Sequence, residues 1–244
     1  MDVLRPKLAG TKAALRALGL YRPARAIYRF AVDPSYRAGL RLQRRHPKNL
    51  FQPFANTSAD RYPAIFGFAR ETLGDGPALR LLSFGCSTGE EVFTLRRYFP
   101  RAFVKGIDIN PANIALCEKR RAVSGDPNIV FALGDWTTAE PARNYDAIFC
   151  MAVLRHEFVA QEERCDPYLD FADFERTVGD FARCLKPAGL LALRHCNFRF
   201  ADTAVSGAFD CVMRLPFDPP TPLFGRDNRR LQGVSYNEVV FRKR

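Results

Sequence analysis

From residue 79 onward the chain alternates short β-branched or aromatic runs with segments of helical spacing, and that alternation admits few architectures. Strands that are each followed by a helix return in the same direction, so they wind into a mainly parallel sheet with helices on its faces. Leu79 to Phe84, Phe103 to Asp108, Asn128 to Leu133, Tyr145 to Met151 and Leu190 to His195 are the expected strands. Gly89 to Tyr98, Pro111 to Val123 and Phe171 to Leu185 are the expected helices, the second opening on a proline whose missing N–H does no harm in a first turn. Phe209 to Leu215 and Ser235 to Lys243 read as two closing strands on either side of a Pro/Gly/Arg-rich loop. The pattern predicts an α/β fold with seven strands.

The 244 residues are compatible with one large α/β domain or two small ones, and the 47% of hydrophobic residues suffices for a sizeable core. No stretch approaches the roughly 20 apolar residues of a bilayer span. Arg5, Lys7, Lys12 and Arg16 interrupt Met1 to Leu20, so neither a signal peptide nor a membrane span is indicated. The seven cysteines are odd in number, scattered and never spaced as Cys-x-x-Cys. They read as small buried hydrophobes in a reducing, cytoplasmic compartment rather than as disulfides or zinc ligands. The three histidines lack metal-ligand spacing, and no metal is expected.

The net charge is +11, of which residues 1–50 supply +10, with twelve Lys/Arg against Asp2 and Asp33. This asymmetry marks residues 1–50 as a basic helical arm or lid, distinct from a nearly neutral body at residues 51–244. Leu4, Leu8, Leu15 and Leu18 fall near one helix face, and Pro23 and Pro34 punctuate the next stretch, giving helix, break, helix and extended linker. Three roles are open to the arm: a lid on the active site, a contact with anionic membrane or nucleic acid, or a helix whose cationic face is solvated. Residues 47–63 read as an irregular connection anchored by Phe51, Phe54 and Tyr62.

The site chemistry starts where the first strand enters Gly85-Cys86-Ser87-Thr88-Gly89-Glu90-Glu91. A glycine-containing turn between strand and helix lets backbone approach a ligand at the carboxyl edge of the sheet. The spacing is neither a Walker loop nor a G-x-G-x-x-G, and Glu90 and Glu91 on the first helical turn would repel a pyrophosphate and welcome a cationic cofactor. Ser87 and Glu90 also read as a capping box. About nineteen residues after Gly89, Asp108 ends the second strand where such units place an acid on ribose hydroxyls. Gly134-Asp135-Trp136 comes after the third strand, with an acceptor for an adenine amino group and the chain's only tryptophan for ring packing.

With these motifs the chain resembles the class I S-adenosylmethionine-dependent methyltransferases over roughly residues 60–244. The strings Cys86-Ser87-Thr88-Gly89-Glu90-Glu91, Gly106-Ile107-Asp108-Ile109, Tyr145-Asp146-Ala147-Ile148-Phe149-Cys150 and Leu185-Lys186-Pro187-Ala188-Gly189 are similar to that family's successive sheet-edge motifs. The first string and Phe149-Cys150 resemble the chemotaxis-receptor glutamate methyltransferases, although Met151-Ala152 stands where that subfamily usually shows Arg-Asn. The resemblance implies a Rossmann-like methyltransferase fold. It also implies S-adenosylmethionine as cofactor, bound by Gly85, Cys86, Ser87, Gly89, Glu90, Asp108, Ile109, Asp135, Trp136 and Cys150.

Transfer from a sulfonium needs chiefly in-line approach of a nucleophile and, for hydroxyl acceptors, removal of a proton. His156 and Glu157 after the fourth strand and His195 after the fifth are the candidate catalytic groups, with a histidine near pKa 6.5 the natural base. For a carboxylate acceptor no base is needed, and the histidines would orient its charge with Arg155 or Arg194. The chain after Cys150 lacks the Asn/Asp-Pro-Pro-Tyr/Phe string of base amino-group methylases. The expected acceptor is an oxygen of a small molecule, lipid or peptide carboxylate. The alternatives are an RNA-modifying or RNA-binding protein gripping phosphates with the basic arm, where Tyr21, Tyr28, Phe30 and Tyr36 interleave the cations, and a cofactor-binding protein without catalysis.

Overall fold

The computed structural model describes residues 21–45, 50–52, 57–166, 168–216 and 221–244. The leucine face at residues 4–18 and Phe54 lie outside them.

Seven strands form one sheet: β1 (Arg80–Phe84), β2 (Phe103–Asp108), β3 (Ile129–Leu133), β4 (Tyr145–Met151), β5 (Leu185–Arg194), β6 (Phe209–Arg214) and β7 (Glu238–Lys243). Their order is β3-β2-β1-β4-β5-β7-β6. The first five are parallel, and β7 runs antiparallel to both β5 and β6. The alternation of strand and helix thus yields the α/β Rossmann-like fold it predicts. The chain order reverses between β1 and β4, and in open α/β sheets ligands bind at that reversal, beyond the carboxyl ends of the strands.

Period-2 alternation sends Leu82, Phe84 and Ile148 to one core and Leu81, Ala147 and Phe149 to the other. The first core is closed by α6 (Phe171–Cys184), whose Phe174, Val178 and Phe181 are fully buried at i, i+4 and i+7. Each such side chain contributes about 1.5–3 kcal/mol of burial. On the other face lie α3 (Pro63–Leu73) and α4 (Glu90–Tyr98), presenting Ile65, Phe66, Val92 and Leu95. Helix α5 (Pro111–Ser124) is bounded as its sequence suggests: the Asn110 side chain accepts from the Ala112 N–H, Pro111 occupies the first turn, and Gly125 ends the helix in a left-handed conformation.

Three local expectations are corrected by the structure. Residues 63–73, unassigned from sequence, form α3 with its proline at the start. Strand β5 begins at Leu185, because Leu185 already pairs with Tyr145 and a bulge absorbs the turn at Ala188, φ 61°. The arm continues as two helices, α1 (Tyr21–Val32) and α2 (Pro34–Arg45): Pro23 falls in a first turn without interrupting α1, whereas Pro34 opens α2 after a break at Asp33. No helix among the described residues is long and apolar enough to cross a membrane.

Candidate functional site

The loop from β1 to α4 is held in an uncommon shape. Gly85, Ser87 and Gly89 all have positive φ, at 71°, 52° and 87°. Glycine adopts this region freely, whereas Ser87 does so at a cost of about 1–2 kcal/mol. The backbone N–H groups of Gly85 and Cys86 donate to the Ile107 carbonyl, and that of Ser87 donates to Asp108 Oδ2 at 2.8 Å. The loop is thereby folded onto the end of β2. A Cβ at Gly85 would run into Val153 Cγ2, so the glycine also admits the chain after β4. The capping box of Ser87 and Glu90 is not formed, because Gly89 stands at the N-cap, two residues past Ser87. Ser87 Oγ is buried without a partner and lines a cavity.

That cavity, of about 190 Å3, lies at the sheet's reversal point. Asp108 forms part of its floor. Its Oδ1 accepts from the Asn110 N–H at 2.8 Å and from Asn113 Nδ2 at 3.1 Å. Burial nonetheless outweighs these donors and raises the Asp108 pKa from 3.8 to about 6. Glu91 accepts from the buried Ser83 hydroxyl at 2.7 Å, and desolvation raises its pKa from 4.5 to about 7. Its neighbour Glu90 points elsewhere, paired with Arg120 at 2.7 Å. Successive residues on a helix lie about 100° apart, so only one of the two acids aims at the cavity.

The cavity gathers Gly85, Cys86 and Ser87 from the loop, Asp108 from the end of β2, Ile109 just after it, and Asp135 after β3. Gly89, Glu90, Trp136 and Cys150 do not line it. Gly89 lies one layer down, where a Cβ would be 3.2 Å from both Cys117 Sγ and Phe131 Cζ. Cys150 is fully buried in the core under α6. Trp136 lies beneath the Arg176 guanidinium, 3.9 Å from ring centre. Of the acceptor-side candidates, Glu157 reaches the cavity. His156 is buried, stacked on Tyr168 at 4.9 Å, with its Nδ1 accepting from the Phe158 N–H. His195, φ 55°, sits behind the cavity-lining Tyr62, ring centres 5.9 Å apart. Burial lowers both histidine pKa values to about 4; at His195, Arg194, Arg155 and Arg61 add to it.

Glu91, Tyr62 and Arg155, which the sequence named as a helix-start acid, a connection anchor and an acceptor-orienting cation, also line the cavity, together with Arg61, which it did not name. Gly39 and Leu42 of α2, together with Leu50 and Phe51, complete the lining. A set of acids and a bare hydroxyl, on a loop without Lys or Arg from 85 to 91, fits a nucleoside carrying positive charge and opposes a pyrophosphate. Among the described residues no cluster of three His, Cys, Asp or Glu is placed to hold a metal ion.

Comparison with known proteins bears on the family of the chain. Over 105 residues the chain is 23% identical to a malonyl-[acyl-carrier protein] O-methyltransferase of Bacillus cereus, a stretch covering 43% of this chain and 38% of that protein. Among solved structures, phosphoethanolamine N-methyltransferase 2 of Haemonchus contortus is similar over 56% of this chain and 28% of its own, at 17% identity and a TM-score of 0.43. CalS10, an amino pentose methyltransferase of Micromonospora echinaspora, is similar over 57% of this chain and 51% of its own, at 25% identity and a TM-score of 0.42. The chain therefore matches from about a quarter to a half of the length of these relatives. The family described as methyltransferase domain matches residues 75–214, from just before β1 to the end of β6, and with more than half of its length so matched the chain belongs to that family.

Proposed function

We propose that the protein transfers a methyl group from S-adenosylmethionine to an oxygen of a small molecule, lipid or peptide carboxylate. The observation that carries this reading is the placement of Asp108 and Glu91, two carboxyls of raised pKa, in one cavity beyond the carboxyl ends of β1 and β2. Asp108 is placed to accept from ribose hydroxyls, Ser87 Oγ to complete that edge, Asp135 to meet the adenine amino group, and Glu91 to answer the positive charge. When bound, the cofactor supplies a methyl group already activated on its sulfonium.

An oxygen acceptor that is already ionised suits the remaining residues. His156 and His195, with pKa values lowered to about 4, are neutral at pH 7 and too weakly basic to take a proton well. A carboxylate needs no such base, and the B. cereus relative is by its name an O-methyltransferase. Of His156, Glu157 and His195, it is Glu157 that lines the cavity and so can touch an acceptor. Residues 1–50 act as a lid in this reading, supported by Gly39 and Leu42 in the cavity lining. None of the three relatives compared is a chemotaxis-receptor methyltransferase, and receptor glutamate is not part of the proposal. The second reading, an RNA target, draws on α1 and α2, where Tyr28 and Phe30 are exposed near exposed Arg25, Arg41 and Arg44. Its mark would be RNA binding that weakens steeply with salt.

Calorimetry with S-adenosylmethionine and its demethylated product tests the principal reading. Micromolar binding is expected, and Asp108→Asn should weaken it roughly ten- to a hundredfold, the loss of about 1.5–3 kcal/mol from charge-assisted hydrogen bonds. Wild-type affinity should also fall as pH drops below about 6, where the Asp108 carboxyl takes up its proton, and the variant should lack that step. An unchanged dissociation constant would sink the assignment.

A further inference from the structure

The cavity also holds polar groups that the proposed cofactor contacts do not use. Arg155, just after β4, lines it, and its Nε is buried without a hydrogen-bond partner. The guanidinium enters no ion pair among the described residues. Tyr62, at the entry to α3, lines the same wall with its hydroxyl buried and unpartnered, and Gln52 Oε1 nearby is likewise unsatisfied. Arg61, Arg155 and Arg194 all act electrostatically on Tyr62, and the same three act on His195. Leaving the Arg155 Nε and the Tyr62 hydroxyl buried without partners costs about 1–3 kcal/mol for each group. An anion with in-plane oxygens satisfies both: the guanidinium fork donates twice and the hydroxyl once.

We propose that the methyl acceptor carries an oxyanion, a carboxylate or a phosphate, held by the Arg155 guanidinium and the Tyr62 hydroxyl. This rests on the reading of the cavity as a methyl-transfer site and adds the class of acceptor. Leu42, Leu50 and Phe51 in the lining give the rest of the acceptor an apolar surface, so an amphipathic acid fits better than a small hydrophilic one. Asp108 and Glu91 answer the cationic cofactor and Arg155 the anionic acceptor, which draws the two reactants together in one orientation.

Full-length protein saturated with S-adenosylhomocysteine would be titrated with octanoate, octyl phosphate and the neutral octanamide. At least one of the two acids should bind roughly tenfold or more tightly than the amide, and which one does so separates a carboxylate acceptor from a phosphate acceptor. Arg155→Gln should weaken the preferred acid about tenfold and leave octanamide and the homocysteine ligand unchanged, with Arg155→Lys in between because it keeps charge and loses the fork. Tyr62→Phe should cost the acid about threefold. Equal binding of acid and amide by the wild-type protein, or no binding of either acid at about 10 mM, overturns the proposal whatever the variants do. Homocysteine-ligand binding is read in the same titrations, so a protein that prefers the acids but fails to bind that ligand overturns the cofactor assignment and leaves the oxyanion site standing.

Discussion

Glu91 shows how a single side chain can be visible in a sequence and still be misassigned. Adjacent acids at 90 and 91 mark the helix start as unfriendly to phosphate, but only the helix phase decides which of them meets the cavity, and one residue of phase separates a salt bridge to Arg120 from a desolvated carboxyl. The same limit explains Trp136, whose place after β3 is legible while the direction of its ring, under Arg176, is not. Motif order fixes the strand end a residue occupies, and side-chain direction there depends on loop torsions such as the positive φ of Ser87, Ala152 and His195, which those residue types do not announce. Glu91 also makes a testable contribution to pH dependence. Its pKa is raised in the folded state, from 4.5 to about 7, so the folded protein keeps a proton that the unfolded chain has already released. Its favourable contribution is complete below pH 4.5 and is lost as pH rises to about 7, a change of up to about 3 kcal/mol. Urea unfolding of Glu91→Gln across pH should therefore show a variant more stable than wild type at pH 8 and equal to it near pH 4. A constant difference between the two curves would mean that Glu91 does not titrate in this window.

At the level of elements, the segments with clear periodicity were legible and the loops between them were not. Helix α5 declares itself by Asn110, Pro111 and Gly125, and the strands by alternation, whereas α3 opens on Pro63-Ala64-Ile65-Phe66-Gly67-Phe68, an apolar run that spacing cannot divide between helix and strand. What α3 contributes is a floor for Tyr62, whose ring meets Phe66 at 6.3 Å edge to face. The loop from β1 to α4 is the element on which the site turns, and Gly85 its most constrained position. Alanine there would adopt a left-handed φ at about 1–2 kcal/mol and displace Val153 at about 1–3 more. Gly85→Ala should therefore lower stability by roughly 2–5 kcal/mol and move the melting temperature down by roughly 4–20 °C. It should also weaken S-adenosylhomocysteine binding, since the shifted loop carries the N–H that holds Asp108. A variant that melts like wild type would show that the chain after β4 yields freely, and that the contact with Val153 does not set the loop.

The whole molecule divides by charge before it divides by fold: nearly all of the net +11 belongs to residues 1–50, while the sheet and its two cores are built from the rest. That division was plain in the sequence, but where the arm lies was not, because a basic amphipathic helix carries no address for the surface it covers. In the structure α2 packs near α5 and places Gly39 and Leu42 in the cavity lining. Among the residues from 21 to 45 whose burial is described only Gly39 is buried, so no described side chain there is, and Ile27, Tyr28, Phe30 and Val32 of α1 remain exposed. An element that buries so little adds little to the stability of the body, yet its Gly39 and Leu42 line the space that the proposed methyl transfer would need dry. Deleting residues 1–45, which keeps Leu50 and Phe51 in place, should accordingly shift the melting temperature by less than about 5 °C. Binding of S-adenosylhomocysteine should survive with a loss smaller than about tenfold, since Asp108, Glu91 and Asp135 all belong to the body, whereas methyl transfer to an acidic acceptor should fall by more than that. Turnover equal to wild type would remove the lid and leave the arm's cations to a separate partner. A truncated chain that fails to fold would instead make α2 part of the core, because the leucine and the glycine in the cavity lining would then be holding the body together rather than closing it.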